Sequence, residues 1–214
     1  MSIELTGEER IIIHGEKSDF SVLKFWQYAM SDIITNTNRG TFAEFVVRSA
    51  MEYGGFVYPK HDKSGWEPFD LYGPIIPSLG REAHIEVKSA AIVQRWTPDS
   101  AEPILEYKPS NVKFSIAPAV MPTETGDYPH GAEKHRNNDL YVFCFYTASR
   151  KTDNILDMKY WKFYVCPTTM LKEPMISDTQ KTISLAKLNK LGIEPCSFEK
   201  LYPAVLAVIS QMSE

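Results

Sequence analysis

Two short segments concentrate the residues able to do chemistry. One reads Trp66-Glu67-Pro68-Phe69-Asp70-Leu71, the other His84-Ile85-Glu86-Val87-Lys88-Ser89. In an extended strand alternate side chains share a face, so His84, Glu86 and Lys88 point one way and Ile85 and Val87 the other. Glu86 and Lys88 then lie about 6.5–7 Å apart along the backbone. An acid and a lysine on one face of an interior strand need a reason, because burying either charge is costly and pairing offsets it only in part. Asp70 falls near the end of a preceding strand-like run, Phe69–Tyr72, and a hairpin closed through Gly73–Gly80 brings it toward Glu86. Two convergent carboxylates form a hard oxygen site suited to Mg²⁺, which keeps several waters. A lysine beside them can hold an attacking water or stabilise charge on a phosphate. A bound metal adds Lewis acidity and lowers the pKa of its water. These are the parts of a phosphodiester hydrolase. The plainer alternative is a solvated strand face with an i,i+2 charge pair.

The surrounding pattern must hold these residues. A short strand is expected at Arg10–His14. From Asp19, an N-cap type, Val22, Leu23, Phe25, Trp26, Ala29, Met30, Ile33 and Ile34 recur at helical spacing, ending near Thr35–Asn38. A second helix is expected from Gly40–Thr41, with Phe42, Phe45, Val46, Ser49, Ala50 and Tyr53 on one face and Gly54–Gly55 as its stop. Short strands follow at Phe56–Pro59, Phe69–Tyr72 and Ala83–Ala91. Residues 97–129 hold six of the 14 prolines. This reads as a long excursion with one strand near Val112–Ala117, and such loops are usually functional or mobile. Leu140–Thr147 is nearly all apolar, as a central strand covered on both faces should be. Lys159–Cys166 reads as its neighbour. Helices at Leu185–Leu191 and within Ser197–Met212 close the chain, the latter beginning near Tyr202 with Pro203 in its first turn. The fold class is α/β, a central mixed sheet flanked by helices. One domain is expected over 1–214: an N-terminal helical segment (1–39), a core (40–147) carrying the site and the excursion 97–138, and closing elements (148–214).

Composition narrows the function classes. The chain has 214 residues, 43% hydrophobic and 23% charged, with net charge −4. That excludes a disordered chain. The longest apolar runs, Tyr141–Tyr146 and Ala204–Ile209, fall far short of the roughly 20 residues of a membrane span. The polar, acidic start does not read as a secretory signal. Three dispersed cysteines make neither a disulfide framework nor a zinc knuckle, and a reducing cytoplasmic setting is expected. Residues 1–20 carry a net charge of −3, so the remainder is near neutral and can still hold a basic groove. No Gly-rich phosphate loop, GxSxG elbow or HExxH is present, which argues against P-loop ATPases, common serine hydrolases and zincins.

Asp70, fifteen intervening residues, then Glu86-Val87-Lys88 resembles the PD-(D/E)XK nuclease superfamily, the restriction-endonuclease-like fold. Gly40-Thr41-Phe42-Ala43-Glu44 resembles the helical glutamate that precedes the core, and Gln94, six residues after Lys88, the glutamine some members carry on the following helix. Asp139-Leu140-Tyr141-Val142-Phe143 also fits the group. The resemblance spans 40–147 in pattern rather than in continuous similarity, and Phe69 stands where the pattern has its proline. The resemblance implies Mg²⁺-dependent DNA cleavage, with Mn²⁺ as a substitute ion, leaving 5′-phosphate ends. By position, Asp70 and Glu86 would bind the metal with the Val87 carbonyl, Glu44 would support the metal or its waters, Lys88 would position the nucleophilic water, and Gln94 would hold the DNA backbone or orient Lys88. A restriction or defence role and a homodimer on a palindromic target are expected. The rival reading is a non-catalytic nucleic-acid-binding or assembly module on the same fold.

Other residues admit plainer roles. Glu44 stands three residues after Thr41, a capping-box spacing, and four before Arg48, an ion-pair spacing. Gln94 fits a surface helix position. Trp96 reads as packing against the excursion, although with Arg95 it could also stack on a base. His84 stays unassigned. His130 and His135 lie in a polar loop with no metal-ligand spacing. Lys134, Arg136, Arg150 and Lys151 are candidate phosphate contacts, which give affinity rather than sequence choice. Cys144 and Cys166 read as small core residues.

Overall fold

The computed structural model describes residues 5–58, 68–99, 102–104, 106–123 and 127–212. Trp66, Glu67 and Pro59 lie outside the described residues. The chain opens with an antiparallel hairpin, β1 (Arg10–Ile13) and β2 (Glu16–Ser21). His14 and Gly15 close it, both at positive φ (52° and 86°). That twist suits a two-residue hairpin turn and explains the glycine. β1 falls where a strand is expected; β2 is not foreshadowed, because EKSDFS carries little β-propensity. Helix α1 (Val22–Met30) is capped by Ser21, not Asp19, and ends before Ile33. None of its residues is buried, and Ile12, Phe20, Phe25 and Tyr28 stand exposed on this N-terminal arm.

Helix α2 (Asn36–Tyr53) starts one turn earlier than the Gly40–Thr41 expectation, because the Thr35 hydroxyl accepts the Asn38 N–H and caps it. The boundary drawn at 39/40 thus falls inside a helix. Gly54 and Gly55 end it as expected, Gly55 at φ 97°. Phe56 to Tyr58 form no strand.

Four strands make the central mixed sheet, in the order β3 (Leu71–Ile76), β4 (Arg81–Ala91), β6 (Leu140–Tyr146), β7 (Trp161–Pro167). β3 and β4 are an antiparallel hairpin, β4 and β6 run parallel, and β6 and β7 run antiparallel. The first strand therefore begins after Phe69 and runs to Ile76, so Asp70 precedes it instead of ending it. Every residue of β6 is buried, the behaviour expected of a strand covered on both faces.

The two faces have separate cores. On one, Ile85 and Val87 of β4 join Val142, Cys144 and Phe163 under α2 and α4 (Phe198–Gln211). On the other, Tyr141, Phe143, Phe145 and Tyr164 pack against a second sheet of β5 (Lys113–Ser115) and β8 (Thr182–Ser184) and against α3 (Leu185–Lys190). β8 was not anticipated: Thr-Ile-Ser is too short to read without its partner. Helix α4 begins at Phe198, so Pro203 sits one turn deeper than expected. It is tolerated because Pro203 and Glu199, whose carbonyl its missing N–H would have served, both face solvent.

No described helix is long and apolar enough to cross a membrane.

Candidate functional site

The β3–β4 hairpin builds the site. Leu71 pairs with Ile85 and Tyr72 with His84, and the turn Pro77–Gly80 closes the strands. One residue upstream, the Asp70 N–H donates to the Ile85 carbonyl at 3.0 Å. The Val87 N–H donates to Asp70 Oδ2 at 2.7 Å. Asp70 is thus held by backbone on both sides of its Cα, at the place where β3 begins. In an extended strand the N–H and C=O of one residue point to the same edge, so the Val87 carbonyl opens toward Asp70 as well.

Lys88 closes the cluster. Its Nζ lies 3.7 Å from Asp70 Oδ2 and forms a direct ion pair with Glu86. The three side chains are between 19% and 30% exposed, enough for solvent to reach them and little enough to strengthen their attraction. Burial lowers the Lys88 pKa, but Glu86, Asp70 and, more weakly, Glu44 outweigh it, and the net shift is upward. Lys88 is a committed cation. On the neighbouring strand, register places Tyr141 beside Glu86 and Phe143 beside Lys88, a dry apolar wall. Burial, reinforced by the Glu86 charge, pushes the Tyr141 hydroxyl pKa well up, so it stays neutral.

The structure therefore brings Asp70, Glu86, Val87 and Lys88 together. Glu44 sits half-buried in the middle of α2 and takes no part in a capping box, because Thr41 lies inside the helix and Thr35 is the cap. Arg48 pairs with Glu52 at 3.1 Å. Gln94 is not on a helix. It occupies a turn just after β4, where its Nε2 donates to the Ala91 carbonyl at 2.7 Å. Among the described residues no group of three or more His, Cys, Asp or Glu side chains is placed to hold a metal ion. The donor set on hand is two part-exposed carboxylates and one carbonyl, hard oxygens that fit Mg²⁺ with water completing its shell.

Neighbouring residues fall into supporting roles. Asp139 accepts two hydrogen bonds from Arg81 (2.8 and 2.9 Å) and one from the His84 N–H (2.7 Å), tying the start of β6 to β4. His84 stacks on Phe69 at 3.9 Å. Burial first, and then Arg81, hold its pKa below the ordinary 6.5. Two further expectations fail. Arg136 does not face solvent: its side chain is 3% exposed and donates to the carbonyls of Ile116, Leu171, Ser177 and Gln180. Trp96 does not pack inward but is 73% exposed. Lys151 pairs with Asp99 at 2.7 Å. His130 and His135 are exposed, as expected.

One residue was overlooked. Arg39 is 4% exposed on the buried stripe of α2, with Ala43, Val46, Val47 and Ala50. A helix started at Asn36 would have shown an arginine in an apolar row. The chain matches no protein-family model, no curated protein and no solved structure.

Proposed function

We propose that the chain is a Mg²⁺-dependent DNA endonuclease with a restriction-endonuclease-like core. One observation carries the reading: Asp70 and Glu86 converge on the Lys88 ammonium where the β3–β4 hairpin meets the parallel strand β6. The strand pattern antiparallel, parallel, antiparallel, with α2 and α4 on one face and α3 on the other, supports it. Asp70, Glu86 and the Val87 carbonyl would hold the ion, with Glu44 supporting its hydrated shell from α2. When bound, the ion supplies Lewis acidity and lowers the pKa of coordinated water. Lys88, kept cationic by the acids around it, donates to the attacking water and to the phosphate oxygens, and so stabilises charge as it develops. Glu86 fixes the Lys88 side chain. The Tyr141–Phe143 wall excludes water from one side and strengthens each of these interactions. Gln94, anchored on the Ala91 carbonyl, takes a binding role rather than one on Lys88.

Cleavage of both strands of a duplex needs two such sites. The apolar residues exposed on β1, β2 and α1 support a second copy as partner. The three cysteines are free thiols, in keeping with a cytoplasmic restriction or defence role.

The second reading is a non-catalytic nucleic-acid-binding module. The direct Lys88–Glu86 pair favours it, since that contact balances charge without any ion. Supercoiled plasmid with Mg²⁺ or Mn²⁺ separates the two. Metal-dependent nicking or linearisation, absent in chelator and in Lys88→Ala, is expected. DNA binding without cleavage in either metal would establish the second reading instead.

A further inference from the structure

Two positions beyond Lys88 on the same face of β4, Ala90 enters the wall of a cavity of about 760 Å³. That step is about 6.6 Å along a strand, comparable to the spacing between neighbouring nucleotides. The cavity lies within the size range of small-molecule sites. Arg39 and Gln94 line it, and behind that wall Arg39 Nε and Gln94 Oε1 are buried with no hydrogen-bond partner among the described residues. Such orphans are rare and ask for an explanation. Arg39 uses its two other nitrogens on the Ile34 carbonyl and on Asn36 Oδ1, and no described carboxylate pairs with it. A buried guanidinium in that state favours an electron-rich guest. Gln94 spends its donor on Ala91 and leaves its acceptor over. Trp96 and Tyr107 stand at the cavity with 73% and 38% of their surface exposed. Lys108 and Lys113 line it as well, against the single carboxylate of Glu106.

We infer that this cavity holds one unstacked nucleobase of the DNA, next to the phosphate that Lys88 addresses. The inference rests on the nuclease reading for its choice of ligand. A base edge offers acceptors and donors to the polar side chains of the wall, Arg39 and Gln94 among them. Its faces suit the exposed Trp96 and Tyr107 rings, and its flanking phosphates suit the two lysines. A duplex keeps its bases stacked and cannot fill the cavity without flipping one out. The substrate class is therefore single-stranded DNA, or duplex with a base that leaves the stack easily.

The test uses the full chain in chelator, so that nothing is cut. Anisotropy of a fluorescein-labelled oligothymidylate of about twelve nucleotides reads binding. Trp96→Ala and Tyr107→Ala each remove an exposed ring, and melting checks that both variants stay folded. Each should weaken binding by roughly 5- to 150-fold, the range for losing one base–aromatic stack. A blunt duplex of the same length should compete at least about 5-fold less well, because its bases are occupied. Unchanged affinity in both variants, equal competition by the duplex, or no binding by the wild-type chain overturns the inference. Plasmid nicking in Mg²⁺ is scored separately. Ring-dependent binding without nicking in any metal leaves the pocket standing and removes the nuclease. Nicking with ring-independent binding does the reverse.

Discussion

Replacing Lys88 by methionine keeps an unbranched side chain one atom shorter and deletes its charge. At 3.7 Å and an effective dielectric near 20, the Lys88–Asp70 attraction alone is about 4 kcal/mol in gross terms. Desolvation and side-chain ordering offset much of it. Exposed pairs net about 0–1 kcal/mol, and breaking a fully buried pair costs about 3–5 kcal/mol. A cluster 19–30% exposed belongs between these limits, so Lys88→Met should lose about 2 kcal/mol in chelator. For a chain of this size that is a fall of roughly 4–8 °C in Tm. The variant leaves Asp70 and Glu86 repelling each other, so a divalent ion should gain affinity for it. The assay is thermal melting in chelator and across a Mg²⁺ titration, where an ion bound only to the folded chain at 100 times its Kd adds about 2.7 kcal/mol. The gap between variant and wild type should narrow as Mg²⁺ rises. A Tm unchanged in chelator would refute the electrostatic account of the cluster, and a gap indifferent to Mg²⁺ would refute the metal-binding role.

Three further outcomes are expected. Asp70→Asn should abolish both nicking and the Mg²⁺-dependent rise in Tm, and a retained rise would place the ion elsewhere. Arg136→Met removes the guanidinium from three part-buried carbonyls, those of Ile116, Leu171 and Gln180, so a loss of about 3 kcal/mol or more is expected by urea unfolding; a loss below about 1 kcal/mol would show that solvent replaces the guanidinium. The His84 pKa is depressed, so the unfolded chain takes up the proton first. Stability contributed by neutral His84 is complete above pH 6.5, the ordinary histidine value, and declines as pH falls below it. His84→Gln should flatten that decline, measured as denaturant midpoints between pH 7.5 and about 5; a parallel decline in the variant would assign the effect to other groups.

Much of the site was legible because it is local. Glu86 and Lys88 lie on β4 and Asp70 just before its hairpin partner β3, and period-two alternation with a short closing loop is visible in one dimension. The all-apolar run at Leu140–Tyr146 announced its central place for the same reason. What escaped depended on partners far along the chain. β8 is three residues made a strand by β5. Arg136 reads as a solvated base until the four carbonyls around it are known. Trp96 looks like core material by type alone, but the turn after β4 leaves it outside. Arg39 was missed through a boundary error: Thr35 caps α2, and the Gly40 read as a start is one turn inside it. Phe69 in place of a proline does not disturb the geometry, since Asp70 is fixed by its own N–H and by that of Val87.

The β3–β4 hairpin has a consequence for the order of folding. Asp70 and Val87 are 17 residues apart in sequence, closed by a four-residue turn, whereas the parallel pairing of β4 with β6 joins Ile85 to Leu140 across the whole proline-rich excursion. Loop closure favours the short connection, and low contact order favours speed. The acids should therefore meet before β6 covers them, in a chain that still lacks its central strand. During that interval the uncovered edge of β4 is open to any extended segment that reaches it first. The charges on the hairpin, three of them at Glu86, Lys88 and Asp70, then act as gatekeepers against wrong pairing before they act as anything else.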